Sequence, residues 1–146
     1  MTLVIHFSES LEPFFGYADG ASHSTQNLSS TSWAIFALYS ELVSFQGICI
    51  SRSTKNIAEY SALIELLSDA ISFGINLIII RLDSQLVVLQ LTSVYTIRNP
   101  TLRLFLSVRI LERHFDFIQY KHISRNLNTM TDSLSNQVLD RHLQHI

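Results

Sequence analysis

The stretch IAEYSALIELLSDAISFGINLIIIRLDS, residues 57–84, decides the fold, because its apolar period changes once, at Gly74. Before Gly74 the apolar positions are Ile57, Ala58, Tyr60, Leu63, Ile64, Leu66, Leu67, Ala70, Ile71 and Phe73. That is helical spacing with a broad apolar face. Glycine is a good residue on which to stop a helix. Beyond it, Leu77-Ile78-Ile79-Ile80 is an unbroken apolar run between Asn76 and Asp83. Such a run reads as a strand buried on both faces, in the middle of a sheet with parallel neighbours.

Working outward, Pro13–Ser22 reads as a strand that ends at Asp19, where Asp19-Gly20 follows Phe14-Phe15-Gly16-Tyr17-Ala18. His23–Ser30 is polar and turn-like. Ser32–Leu38 and Leu42–Ile50 are two further strands, rich in aromatic and β-branched residues. Downstream, Ser84–Leu91 reads as a short helix. Asn99-Pro100 opens another, with Leu102, Leu106, Ile110 and Leu111 on one side, since proline suits a first helical turn. Phe115–Ile123 is a last strand, and Asn128–Leu143 a terminal helix with Met130, Leu134, Val138 and Leu139 as its inner stripe. The order is βββαβα(α)βα: an α/β domain over residues 13–146, built on a mixed five-stranded sheet with helices packed on it. Residues 1–12 read as a flexible lead-in or linker.

Composition narrows the class. With 146 residues, 47% hydrophobic and 15% charged, the chain fits one domain with a filled core. No apolar run approaches the roughly 20 residues of a membrane span, and Met1–Ser10 lacks the basic and apolar regions of a secretory signal. The expected setting is intracellular, cytoplasm or nucleus, and reducing. One cysteine, Cys49, excludes an intrachain disulfide and a cysteine-built zinc site; it reads as a small core residue on a strand. The net charge of −2 is unlike the basic footprint of a nucleic-acid binder. Two bound divalent cations would reverse its sign.

Four carboxylates stand at element ends. Asp19 ends the first strand, Glu59 lies in the first turns of the long helix, Asp83 ends the apolar strand, and Asp132 lies near the start of the last helix. Each has a plain structural reading: a turn at Asp19-Gly20, a capping box from Asn56 to Glu59, an N-cap at Asp83, a helix-dipole partner at Asp132. Together they mean more. In a sheet with one central parallel pair, the carboxyl ends of strands 1 and 4 adjoin, and the crevice there is the usual ligand site. Carboxylates gathered in one place need a cation among them to remain ionised. Oxygen ligands suit Mg²⁺ or Mn²⁺, and two such ions suit phosphodiester cleavage.

The words around these acids resemble one family. Ser53-Thr54-Lys55-Asn56-Ile57-Ala58-Glu59-Tyr60, followed by Ala62-Leu63, resembles the T-x-N-x-A-E-Y-x-A-L word of type 1 ribonucleases H. Asp83-Ser84-Gln85-Leu86-Val87 resembles their D-S-Q-L-V, and Tyr17-Ala18-Asp19-Gly20-Ala21-Ser22 their first-strand D-G-(S/A). From His122 to Leu134 the chain resembles H-x(5)-N-x(3)-D-x-L with both intervals kept. The likeness covers about residues 13–140 and is nearest to the domain of plant LTR-retrotransposon polyproteins. It implies a ribonuclease H-like fold and an endoribonuclease that cuts the RNA strand of an RNA/DNA hybrid. It further implies two Mg²⁺ ions, with Mn²⁺ a substitute, on Asp19, Glu59, Asp83 and Asp132.

By the same resemblance His122 sits on a mobile loop and helps proton transfer or product release, histidine being the side chain that changes charge near neutral pH. Thr54 contacts a DNA phosphate, and Asn56 and Gln85 reach base edges in the minor groove. The backbone at Gly20 approaches the RNA, Arg125 stands where such members carry arginine, and Asn128 orients the loop between His122 and Asp132 beside the hybrid. An adjoining reverse transcriptase domain is the implied protein partner, with no membrane.

The chain also departs from the family. The first hairpin, His23 to Ser30, has no glycine or proline where the family is glycine-rich. Ile57 replaces a common basic residue, and the interval from Asp83 to Asp132 is too short for the basic handle of some bacterial members. Two alternatives therefore stay open: a catalytically weak or inactive module of the same fold that binds nucleic acid or acts as a spacer, and an unrelated metal enzyme acting on a small molecule.

Overall fold

The computed structural model describes residues 12–23, 28–93, 96–97 and 101–128. Strands β1 (Phe14–His23), β2 (Leu28–Phe36) and β3 (Leu42–Ser51) form an antiparallel meander. Helix α1 (Lys55–Ser72) leads to β4 (Leu77–Leu82), α2 (Gln85–Thr92), α3 (Thr101–Glu112) and β5 (Phe117–His122). A 3₁₀ turn, Arg125–Asn128, follows β5. The sheet order is β3-β2-β1-β4-β5, with β1–β4 and β4–β5 parallel. This is the mixed five-stranded α/β sheet expected, element for element, through β5. The lead-in up to Leu11, the hairpin tip at 24–27, Asn99-Pro100, Asp132 and the expected terminal helix beyond Asn128 lie outside the described residues.

Alternation in the strands separates two faces. Gly16, Ala18 and Gly20 of β1 share one face with Ile35, Trp33 and Thr31 of β2 and with Ile80 and Leu82 of β4. The hydrophobic core is drawn from that face and from the inner sides of the helices: Tyr60, Leu63, Leu66 and Leu67 from α1, Val87 and Leu91 from α2, Val108 from α3. Removing one such leucine side chain costs about 2–5 kcal/mol. Two polar clamps fix α1 over the sheet. Asp69 Oδ2 accepts from Trp33 Nε1 (3.0 Å) and Ser44 Oγ (2.6 Å), and the Phe73 and Ile75 amides close the helix end against Asp69 and Ala70 carbonyls. Gly74 takes φ +73°, as its reading as a stop requires.

Several boundaries differ from expectation for definite reasons. β4 is not buried on both faces: Ile78, Ile80 and Leu82 are buried, while Leu77, Ile79 and Arg81 are partly exposed. On that second face Arg81 lies over the Phe15 ring (4.7 Å) and donates to Tyr17 Oη (2.6 Å). β1 does not end at Asp19. Its parallel pairing with β4 stops at Ala18↔Leu82, but its antiparallel pairing with β2 runs on through Asp19↔Ser32 to His23↔Leu28. Ser29 and Ser30, expected in the turn, accordingly lie in a buried strand with Thr31 and Ser32. Cys49 is half-buried on β3, its thiol pushed upward by burial.

The glycines of β1 differ in what an added methyl would meet. At Gly16 a Cβ would lie 2.9 Å from Leu66 Cδ2, the end of a flexible side chain. At Gly20 it would lie 2.5 Å from the Ala58 carbonyl carbon and 2.7 Å from the Glu59 nitrogen, both backbone. Gly20→Ala should therefore lower the unfolding free energy by about 3 kcal/mol or more, and Gly16→Ala by about 1 kcal/mol. Urea denaturation of the two variants checks the order; equal losses would contradict the close approach at Gly20.

Candidate active site

The end of the β1–β4 parallel pair is also the start of two helices, and the caps of those helices decide which acids are available. At α1 the cap is Thr54, whose Oγ1 accepts from the Ile57 amide (3.2 Å). The expected capping box from Asn56 to Glu59 does not form, because the helix begins earlier, at Lys55. At α2 the cap is Ser84, whose Oγ accepts from the Val87 amide (3.2 Å), so Asp83 is not the cap. Both acids are released from helix-end duty. The start of α1 is held by serines: Ser22 Oγ donates to Ser53 O (2.8 Å), and Ser53 N donates to Ser29 Oγ (3.0 Å). This ties the stem of the first hairpin to the β3–α1 junction.

Asp19 follows the last β1–β4 pair on one strand and Asp83 follows it on the other. Glu59 reaches them from α1 because Gly20 lets the helix backbone come close. One carboxylate oxygen from each of Asp19, Glu59 and Asp83 lies within 4.8 Å of the others. Asp19 is fully buried and Glu59 is 6% exposed. Burial pushes the Glu59 carboxyl above its ordinary value, against the pull of Lys55 and a hydrogen bond from Ser84. Glu59 Oε2 is buried without a hydrogen-bond partner in range. An all-oxygen donor set, two members buried and one oxygen unsatisfied, fits a hard divalent cation.

The remaining residues surround this cluster. A cleft of roughly 310 Å³ is lined by Lys55, Asn56, Glu59, Asp83, Ser84 and Arg125. Thr54 stands exposed at the head of α1, and its hydroxyl, already an acceptor, still has a proton to give. Gln85 is exposed at the first turn of α2. His122 is the last residue of β5, paired with Leu82, rather than part of a loop. It is exposed, with Nε2 3.2 Å from Asp83 O. Asn128 is 2% exposed, with its side-chain amide turned toward the sheet end. Its Nδ2 donates to Ala18 O (3.2 Å) and Asp83 Oδ2 (3.3 Å), fastening the turn after β5 to both central strands.

Lys55 is the participant to which the sequence reading gave no role. Its ammonium lies 3.6 Å from Asp19 Oδ1 and 3.6 Å from Glu59 Oε1, and it donates to Gly20 O. The i, i+4 spacing of Lys55 and Glu59 was the available signal.

This sheet order, with three acids at the end of its parallel pair, defines the ribonuclease H class of fold. Residues 17–138 match the model of the family described as "Reverse transcriptase-like". A curated relative, ribonuclease HI of Halobacterium salinarum, is 38% identical over 125 residues, 85% of this chain and 63% of its own length. The chain spans 25% to 63% of the length of the curated relatives it matches. The crystal structure of ribonuclease H1 from H. salinarum superposes with a TM-score of 0.83 at 36% identity, over 88% of this chain and 98% of that one. A metagenomic ribonuclease H1 from compost, crystallised with an RNA/DNA hybrid, gives 0.82 at 28% identity, over 89% and 99%. The chain belongs to the reverse transcriptase-like family of ribonuclease H-fold proteins.

Because Glu59 has a raised value in the folded state, folding takes up a proton there once the pH exceeds 4.5, the ordinary value from which it is raised. Its contribution to stability is therefore greatest below that pH and falls as pH rises through the folded value. In metal-free buffer Glu59→Gln should gain stability relative to wild type as pH rises from 4.5 toward neutrality. Paired denaturation curves check the sign, and a pH-independent difference would contradict it.

Proposed function

We propose that this chain is an endoribonuclease that hydrolyses the RNA strand of RNA/DNA hybrids and leaves 5′-phosphomonoesters. The observation that carries the proposal is the convergence of Asp19, Glu59 and Asp83 within 4.8 Å at the end of the parallel pair. Asp132, outside the described residues, completes the set by its place in the family word. These four acids hold two Mg²⁺ ions, or Mn²⁺ in their place. When bound, such ions neutralise the phosphate and favour in-line displacement at phosphorus.

The chain's own residues do the rest. Asn128 positions Asp83 through its hydrogen bond to Oδ2. His122, exposed beside the Asp83 carbonyl, passes a proton at its ring nitrogen or helps the product leave. Thr54 donates its hydroxyl to a DNA phosphate, and Asn56 and Gln85 meet base edges from the minor-groove side. Arg125, on the wall of the cleft, adds a positive contact to the backbone. The backbone at Gly20 faces the RNA strand, where 2′-hydroxyls distinguish it from DNA.

The natural setting we infer is reverse transcription in a retroelement polyprotein, within a reducing intracellular compartment. Residues 13–146 form the ribonuclease H domain and residues 1–12 its linker. The family description and the single cysteine support this. An adjoining reverse transcriptase would add grip on the hybrid. Among the described residues no helix is long and apolar enough to cross a membrane. A second reading, a catalytically weak or inactive module of the same fold that binds nucleic acid or acts as a spacer, is favoured by the glycine-free first hairpin and the acidic balance of the chain.

Cleavage of a labelled RNA/DNA hybrid at low salt, with Mg²⁺ and then Mn²⁺, decides between the two. Wild type should cut the RNA strand and Asp83→Asn should not. Folded wild type that binds hybrid but cuts with neither metal would establish the module reading. His122→Ala should slow turnover by about 10²-fold with hybrid binding retained; loss of binding would contradict the role given to His122.

A further inference from the structure

Lys55 is poorly explained as an ordinary helix-surface ion pair. Such pairs join exposed groups and stabilise a helix by a few tenths of a kcal/mol, best with glutamate on the N-terminal side. Here lysine is on the N-terminal side. Its side chain is 43% exposed, while the two carboxylates it meets are 0% and 7% exposed. One partner, Asp19, belongs to a different element, and so does the Gly20 carbonyl to which the ammonium donates. The long side chain thus reaches from solvent into the cleft and places one positive charge between two buried acids.

The geometry points to Lys55 as a resident counter-cation that occupies the acidic cluster in the metal-free protein and is displaced when divalent cations bind. This rests on the proposed metal-binding role of Asp19 and Glu59. Two buried carboxylates with a third oxygen ligand nearby repel one another, and a cation in their midst offsets that repulsion. A lysine supplies the charge without a metal. Its flexible stem and half-exposed position let it swing out, and its ammonium is a compact point charge that competes for the same oxygens. Lys55 therefore sets the concentration of divalent cation at which the site fills. It is a positioning residue, acting on the acids and not on substrate.

The test uses the whole chain, with MgCl₂ and MnCl₂ as the probes, followed by titration calorimetry and by denaturation with and without metal. Lys55→Gln should bind Mg²⁺ about tenfold more tightly, as expected from removing one positive charge a few ångströms from the site. Lys55→Met should do the same, and Lys55→Arg should restore affinity close to wild type. In chelator, Lys55→Gln should be less stable than wild type, and saturating Mg²⁺ should close that gap. A merely structural lysine would leave the gap open in both conditions. Unchanged or weaker Mg²⁺ affinity in both neutral variants overturns the inference, whatever the wild type does to hybrid. If wild type cuts hybrid while the variants bind no tighter, only the role of Lys55 falls. If no protein binds either metal saturably, this inference and the metal assignment fall together.

Discussion

The contact on which the site depends is the approach of Gly20 to the first turn of α1. A hydrogen atom in place of a side chain lets the backbone at Ala58 and Glu59 settle against β1 at distances that no Cβ tolerates. That contact carries Glu59 over the sheet end to Asp19. The serine bonds at Ser53 and the Asp69 clamp hold the two ends of the same helix, so its placement is fixed along its length. The arrangement of the acids is thus a consequence of helix-on-sheet packing, and the apolar core behind Leu63, Leu66 and Leu67 supplies the rigidity.

Placing acids there has an electrostatic cost. Asp19 and Glu59 are buried where charge is disfavoured, and Glu59 shows the strain as a raised proton affinity. Sites tuned for chemistry store such tension, because it is relieved by the cation they are built to receive. Lys55 supplies partial relief in the absence of metal. It also bears on the acidic balance of the chain: in a protein of net charge −2, Lys55 and Arg125 are the cationic side chains that line the cleft.

Much of this was legible in the sequence. The single change of period at Gly74 separates α1 from β4, and the aromatic and β-branched runs mark the meander, since these signals arise from burial that neighbouring residues share. The less legible parts have physical reasons. Ser29 and Ser30 look like turn residues by composition, yet they lie in a buried strand because β1 and β3 satisfy their backbone on both sides. The sequence leaves Asn56 and Asp83 open as helix caps, since several polar residues compete at each start and only packing selects Thr54 and Ser84. In β4 the apolar run suggested two buried faces, and Arg81 with its aromatic partners shows how one face differs. Among the site residues, Asp19, Glu59 and Asp83 came together as their strand and helix ends implied. The strand register of His122 and the inward amide bond of Asn128 are not readable from the sequence, because pairing register and side-chain direction are tertiary facts.

The central claim is that the close approach at Gly20 builds a divalent metal site from three acids on three elements. Anomalous scattering from crystals grown with MnCl₂ and a hybrid tests it most directly. Mn²⁺ should be ligated by oxygens of Asp19, Glu59 and Asp83, with the Lys55 ammonium withdrawn. An ordered hybrid with no ion among these carboxylates, or with Mn²⁺ held elsewhere, would contradict it.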